Sequence, residues 1–293
     1  MPPLAALTTC PDWGAPLRDG TNATVEWLVV HLGDRFEAFS NALLSLLVAM
    51  EQVLRAAPPW LVIGLTAALA FAASRSVLLA LGSAAGLWVI GALGQWEPAM
   101  QTVALVTVSV GLCIAIGLPL GVWCSRSAWA RRIVLPVMDL MQTIPSFVYL
   151  LPAAMLFGLG KVPAILATVI YAVPPLVRLT DLGIREVGTD AVEAGRAFGA
   201  TRWQLLTRVQ IPLSMPSIMQ GINQTTMMAL AMVVVASMIG ARGVGETVLV
   251  GLQRNDPGMG LVGGLVIVIL AVVMDRMLLS YGRRLQAHRN AQA

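Results

Sequence analysis

Charge is scarce in this sequence. Asp, Glu, Lys and Arg make up 12% of its 293 residues, against 57% hydrophobic residues, where a soluble domain carries about 25% charge. A membrane span needs ~20 mainly apolar residues, so about six to eight spans would take nearly the whole length and leave no room for a soluble catalytic domain. Lysine is scarcer still, with Lys161 the only one. A P-loop needs a Lys followed by Ser or Thr to hold phosphate and magnesium, whereas Lys161 stands between Gly160 and Val162; any ATP must be hydrolysed elsewhere. Three cysteines, Cys10, Cys113 and Cys124, cannot build a disulfide framework. Cys113 and Cys124 fall on one expected helix about 16 Å apart by the helical rise, too far to bridge. His31 and His288 stand alone, without metal spacing, and no Ser–His–Asp set is present. No cofactor is expected in this chain.

What is present is apolar and continuous. Seven runs cover residues 59–73, 77–93, 100–124, 133–159, 162–179, 216–239 and 261–279. They are too long and too unbroken for barrel strands, which alternate, so an all-α polytopic membrane protein follows. The first two runs are short and suit a tilted hairpin. The first twenty residues lack the basic and apolar regions of a cleaved signal, so the tail is expected to stay. Over 36–55, Phe36, Phe39, Leu43, Leu47, Met50 and Leu54 recur at a helical period while Glu37, Asn41, Glu51 and Gln52 fall elsewhere. This predicts an amphipathic helix, lying on the membrane surface or packed on the protein. The division is a tail at 1–57, two helices in 58–93, a core at 94–281 and a tail at 282–293.

Sidedness follows from the loops, because cytoplasmic connections retain Lys and Arg. With the N-terminus outside, thirteen of the 19 basic residues fall on inner connections or beside them, and nine of the 15 acidic residues fall outside. The same asymmetry accounts for the net charge of +4 without nucleic acid as a partner.

The longest inner connection, 181–212, reads DLGIREVGTDAVEAGRAFGATRWQLLTRVQIP. Asp190 with Glu193, and Thr201 with Gln204, are two capping-box signatures, which predict two short helices. Gly199 suits the left-handed residue that closes the first. Helices this short are unstable alone, so they pack on the protein's own loops or dock into a partner's groove. In the second case Ala194 and Gly195 permit close approach and Phe198 is the anchor.

Glu193, Ala194, Gly195, Gly199, Val209, Ile211 and Pro212 resemble the EAA signature of ABC importer permeases, roughly E-A-A-x3-G-x9-I-x-L-P. Gly195 stands in place of the second Ala, Val209 of the Ile and Ile211 of the Leu. The runs MDLMQTIPSFVYLLP from Met138, AVPPLVRLTDLGIREV from Ala172 and GINQTTMMALAMVVVASMIGARGVGETVLVGLQRND from Gly221 are similar to permease subunits of glycine betaine, proline betaine and choline importers. The resemblance covers roughly residues 94–281. It implies a type I importer fold, a methionine-importer-like core of five helices with extra N-terminal helices, in a bacterial inner membrane. It also implies two permease copies around a path, two cytoplasmic ATPases using ATP and Mg, and a separate periplasmic binding protein. Glu193 to Gly199 would be the coupling helix in the ATPase groove.

Polar groups inside apolar runs are costly and face the bundle interior or a wet route. Asn223, Gln224, Thr225 and Thr226 lie half-way along the sixth run and are expected to line the path or to bond between helices; Met227 adjoins them. Asp139 is expected to pair with an Arg or a backbone amide. Pro145 and Pro152 should break the ladder of the fourth run as a kink or a gate. Gly240, Gly243 and Gly245 imitate a dinucleotide fingerprint but follow a membrane helix, and read as a flexible outer loop. An ion-coupled secondary transporter is the competing reading; it requires inverted repeats, and the halves show none.

Overall fold

The computed structural model describes residues 14–290, with side chains described as far as Arg284. Cys10, the rest of 1–13 and the imidazole of His288 lie outside the described residues. Among the described residues the chain is helical throughout and has no strand.

Apolar composition and length make five stretches capable of crossing a membrane: α1 (Gly14–Ala56), α4 (Trp96–Arg126), α7 (Lys161–Arg185), the run Arg202–Ser237, and α12 (Pro257–Asn290). A sixth is broken into α5 (Ala128–Thr143) and α6 (Leu150–Phe157), bent by 105°. The fourth apolar run is therefore not one straight span. The helices α2 (Pro59–Ser74) and α3 (Val77–Ala92) have 16 residues each and reach about 24 Å by the helical rise, short of a ~30 Å hydrocarbon layer. They form the expected hairpin and pack on α12.

Small residues set the helix directions. A Cβ on Gly117 would stand 3.0 Å from Leu176, and one on Gly121 would stand 2.5 Å from Thr180, so α4 and α7 run parallel and nearly touch. Against α7 lies α10 (Ile211–Ser237), antiparallel: Thr225 Oγ1 donates to the Ala172 carbonyl at 2.9 Å, and Gly183 abuts Ser217. Asn223 with Asp275 and Met219 with Gly282 make α12 antiparallel to α10. The bundle therefore has two ends. One holds the starts of α4, α7 and α12 together with α11 (Val244–Gln253). The other holds the α2–α3 turn, the ends of α4, α7 and α12, and two short helices, α8 (Thr189–Ala197) and α9 (Arg202–Leu205).

The helix expected over 36–55 begins much earlier, at Gly14. Leu43 and Leu47 are buried in the core. Phe36 packs edge-on to Phe157 at 5.3 Å between ring centroids, Lys161 Nζ donates to Glu51 Oε2 at 2.6 Å, and Arg55 pairs with Glu97. These partners are the end of α6 and the starts of α7 and α4. The second half of α1 therefore packs on the α11 end of the bundle, the second of the two expectations.

The segment expected as a flexible loop around Gly240–Gly245 is a tight turn. Gly243 takes φ +148°, open to glycine, and its α carbon is so close to Thr102 that a Cβ would meet Oγ1 at 2.6 Å. Val244 N–H donates to that same Oγ1 at 2.9 Å. The turn leads into α11, which the apolar runs had not predicted because its length and polarity are those of a short packed helix.

Candidate functional site

The connection between α7 and α10 carries the candidate docking surface. Gly188, extended at φ −51° and ψ 136°, starts α8 with no side-chain cap. The expected Asp190–Glu193 capping box is thus absent: the helix begins at Thr189, and Asp190 sits in its first turn, where a carboxylate still favours the positive end of the helix dipole. At the other end Ala200 N–H donates to the Gly195 carbonyl at 3.1 Å and Gly199 N–H to the Arg196 carbonyl at 2.9 Å. With Gly199 at φ +74°, this is the Schellman closure.

The second box forms as expected. Gln204 N–H donates to Thr201 Oγ1 at 3.3 Å, and Thr201 N–H to Gln204 Oε1 at 2.9 Å. The helix that starts there does not stop at Pro212. It passes through a π-helical turn, Leu206–Gln210, and continues as α10, with Pro212 in the first turn of that helix, where proline's missing N–H costs least. The second half of the connection and α10 thus form one continuous helical stretch, Arg202–Ser237.

Glu193, Ala194 and Phe198 are exposed, Phe198 at 92%. Gly195 faces inward instead: a Cβ there would stand 2.8 Å from Leu205 Cδ1, so its small size lets α8 pack on α9. A cleft of about 650 Å³ opens beside α8, lined by Arg126, Arg185, Glu193, Arg196 and Arg202 among others. Arg126 Nη1 donates to the Arg202 carbonyl at 3.4 Å.

Below the cleft lies a cluster that sequence reading did not single out. Asp181, 1% exposed, accepts from Arg185 Nε at 3.1 Å and lies 3.4 Å from Arg131 Nε. The Asp181/Arg185 spacing of four was its visible signal; Arg131, from α5, was not traceable.

The polar group half-way along α10 divides. Asn223 is buried and donates through Nδ2 to Asp275 Oδ1 at 2.8 Å, an interhelical bond. Thr226 is buried and donates to the Ile222 carbonyl of its own helix. Met227 is half-buried against the core. Gln224 is exposed and shares one stripe of α10 with Leu213, Gln220, Ala231 and Met238. Asp139 pairs with Arg178, as expected.

Only one of the two prolines breaks a helix. Pro145 has no N–H for the Met141 carbonyl, and Tyr149 Oη supplies the donor at 2.8 Å. Ile144 and Pro145 are both extended, at ψ 130° and 132°, and the chain turns there. Pro152 lies in the first turn of α6, where helices tolerate proline.

This fold, a bundle with an exposed helical segment inserted between two packed spans, is that of an importer permease. Residues 117–287 match the family of binding-protein-dependent transport system inner membrane components, and the chain belongs to that family. It is a membrane-spanning subunit of an ABC importer and not an enzyme. It is 45% identical over 268 residues, 92% of this chain and 75% of the other, to the glycine betaine/proline betaine transport system permease protein ProW of Escherichia coli (strain K12). With the glycine betaine transport system permease protein OpuAB of Bacillus subtilis (strain 168) it shares 43% identity, covering 89% of this chain and 93% of the other. Among solved structures, an inward-facing MetNI methionine ABC transporter chain matches with a TM-score of 0.54 and 25% identity, covering 64% of this chain and 92% of that one. The methionine-importer-like core is therefore present.

Proposed function

We propose that this chain imports a small solute bearing a methylated ammonium head (glycine betaine, proline betaine or choline) as one of two permease copies in a bacterial inner membrane. Two cytoplasmic ATPases bind and hydrolyse MgATP, and a separate periplasmic binding protein delivers the solute. The observation that carries this reading is the 45% identity to a betaine permease over 92% of the chain. The N-terminus is outside and the α8 end is cytoplasmic, a reading supported by Arg75, Arg126, Arg185, Arg196, Arg202 and Arg283 gathering there, where basic residues are retained.

The steps follow from the contacts. The ATPase holds α8 through Glu193, Ala194 and Phe198, with Gly199 and Pro212 fixing the geometry of the segment. Movement of α8 passes through Gly195 and Leu205 into the helical stretch that contains α10, and from α7 through Asp181 and Arg131 into α5. The solute path runs along the exposed stripe of α10 bearing Gln224, opposite the second copy. Asn223, Thr226 and Met227 hold that helix in place. The bend at Pro145 is the gate, and Pro152 starts its outer arm. Rigid-body motion of the two copies then alternates the opening.

The test is ATP hydrolysis in proteoliposomes by this chain and its ATPase, with a binding protein loaded in turn with choline and glycine betaine. Stimulation by a loaded protein is the expected result and names the solute. Uptake driven by an ion gradient without an ATPase would replace this reading with the secondary transporter.

A further inference from the structure

A cleft of about 700 Å³ lies between the α2–α3 turn and the C-terminal part of α12, at the same end of the bundle as α8 but lined by none of its residues. Four arginines line it: Arg75, Arg276, Arg283 and Arg284. They are sparsely neutralised. Arg284 donates to the carbonyl of Ala72, which adds no negative charge. Asp275, the one carboxylate beside them among the described residues, is 3.9 Å from Arg276 and already accepts from Asn223. Among the described residues Arg75 and Arg283 have no side-chain partner, and Arg75 is held at φ +56°, one of two non-glycine residues there with a left-handed backbone.

The rest of the cleft is of another character. Ser76 and Ser280 add hydroxyls beside the arginines, while Leu78, Leu79 and Val272 form the wall. That wall continues outward: Val77 is 62%, Leu78 83% and Leu81 63% exposed along α3. Charge at the helix ends grading into exposed hydrocarbon surface along the helices matches an amphiphile, and a volume of this size is that of a small-molecule site. Basic pockets between membrane helices on one face bind anionic headgroups, and Arg presents a planar fork suited to phosphate oxygens.

We propose that this cleft is a binding site for an anionic phospholipid, its phosphate held by Arg75, Arg283 and Arg284 and its acyl chains laid along α3. The shared chemistry is a phosphate anion; the exposed apolar wall favours a lipid over free phosphate.

The full chain, purified with its ATPase and placed in nanodiscs of equal phosphatidylglycerol and phosphatidylcholine, is expected to retain phosphatidylglycerol selectively when the bound lipid is measured by native mass spectrometry. A photoactivatable phosphatidylglycerol on the unaltered protein should crosslink to peptides of α3 and α12. Arg75→Gln with Arg283→Gln should lower the selectivity by about fivefold for each charge removed, while Arg75→Lys with Arg283→Lys retains most of it. Equal retention of both lipids, crosslinks only elsewhere, or unchanged selectivity in the Gln pair would overturn the proposal. Displacement of the lipid by millimolar inorganic phosphate, with phosphate then retained, would assign the site to a soluble anion instead. Crosslinks replaced by contact with a second protein chain would make the cleft an assembly surface.

Discussion

Asp181 on α7 lies 3.4 Å from Arg131 on α5, and together with the Arg178–Asp139 pair this contact ties the end of α7, from which the α8 segment departs, to the bent span. Asp181 is almost wholly buried and also holds Arg185. Breaking a buried pair on one side leaves uncompensated charge, at a cost of about 3–5 kcal/mol when both partners are buried; here the arginines are 43% and 33% exposed, which reduces it to about 1–2 kcal/mol. Asp181→Asn should therefore insert and fold but hydrolyse ATP with less transport per turnover, measured as the ratio of solute taken up to phosphate released in proteoliposomes.

Phe198 contributes nothing to the chain's own core, since its ring is 92% exposed. Phe198→Ala should leave the thermal midpoint of the isolated chain unchanged and weaken ATPase association by about tenfold or more, as for a central interface anchor. Titration of the ATPase onto the immobilised permease reads both the loss and its absence.

The hydroxyl of Tyr149 substitutes for the amide that Pro145 lacks. Tyr149→Phe removes one hydrogen bond, worth about 1 kcal/mol, and should lower stability slightly while reducing transport. Pro145→Ala acts oppositely: it restores an N–H that can reach the Met141 carbonyl, favours a straighter α5–α6, and should slow transport without lowering the unfolding temperature. Uptake rates beside thermal melts separate the two.

Glu51 is 4% exposed beside Lys161. Either Glu51→Ala or Lys161→Ala should loosen the second half of α1, at about 3 kcal/mol for a single deletion within a buried pair. The exchange Glu51→Lys with Lys161→Glu should recover part of it. Limited proteolysis within 14–56 is the direct measure, and equal cleavage in all three would show that the pair does not hold the helix.

Much of this architecture is readable residue by residue. The seven apolar runs identify all the membrane-level helices from α2 to α12 except α11, because burial in lipid or core selects composition at the scale of a whole helix. The Thr201–Gln204 box forms as written, since both of its bonds are local. The Asp190–Glu193 box fails because Gly188 offers an earlier start, a competition decided by one backbone conformation. The full length of α1 was missed: Val25, Leu28 and Leu32 continue the apolar spacing upstream of Phe36 and are half-buried, and only the polar stretch before them carries no such signal. The 105° bend was half visible, as two prolines of which only Pro145 acts. Gly195 looked like a docking residue, and its inward contact with Leu205 depends on how α8 folds back, which no spacing reveals. The Asp181–Arg131 contact spans fifty residues of chain and required the parallel pairing of α4 and α7.

Because Lys161 is the only lysine and its ammonium is engaged by Glu51, an amine-selective reagent meets a single side-chain target whose shielding depends on the seating of α1. The rate of acylation at that one side-chain nitrogen, followed on the peptide that carries Lys161 so that the α-amino group does not interfere, would thus serve as a built-in clock for detachment of the N-terminal helix.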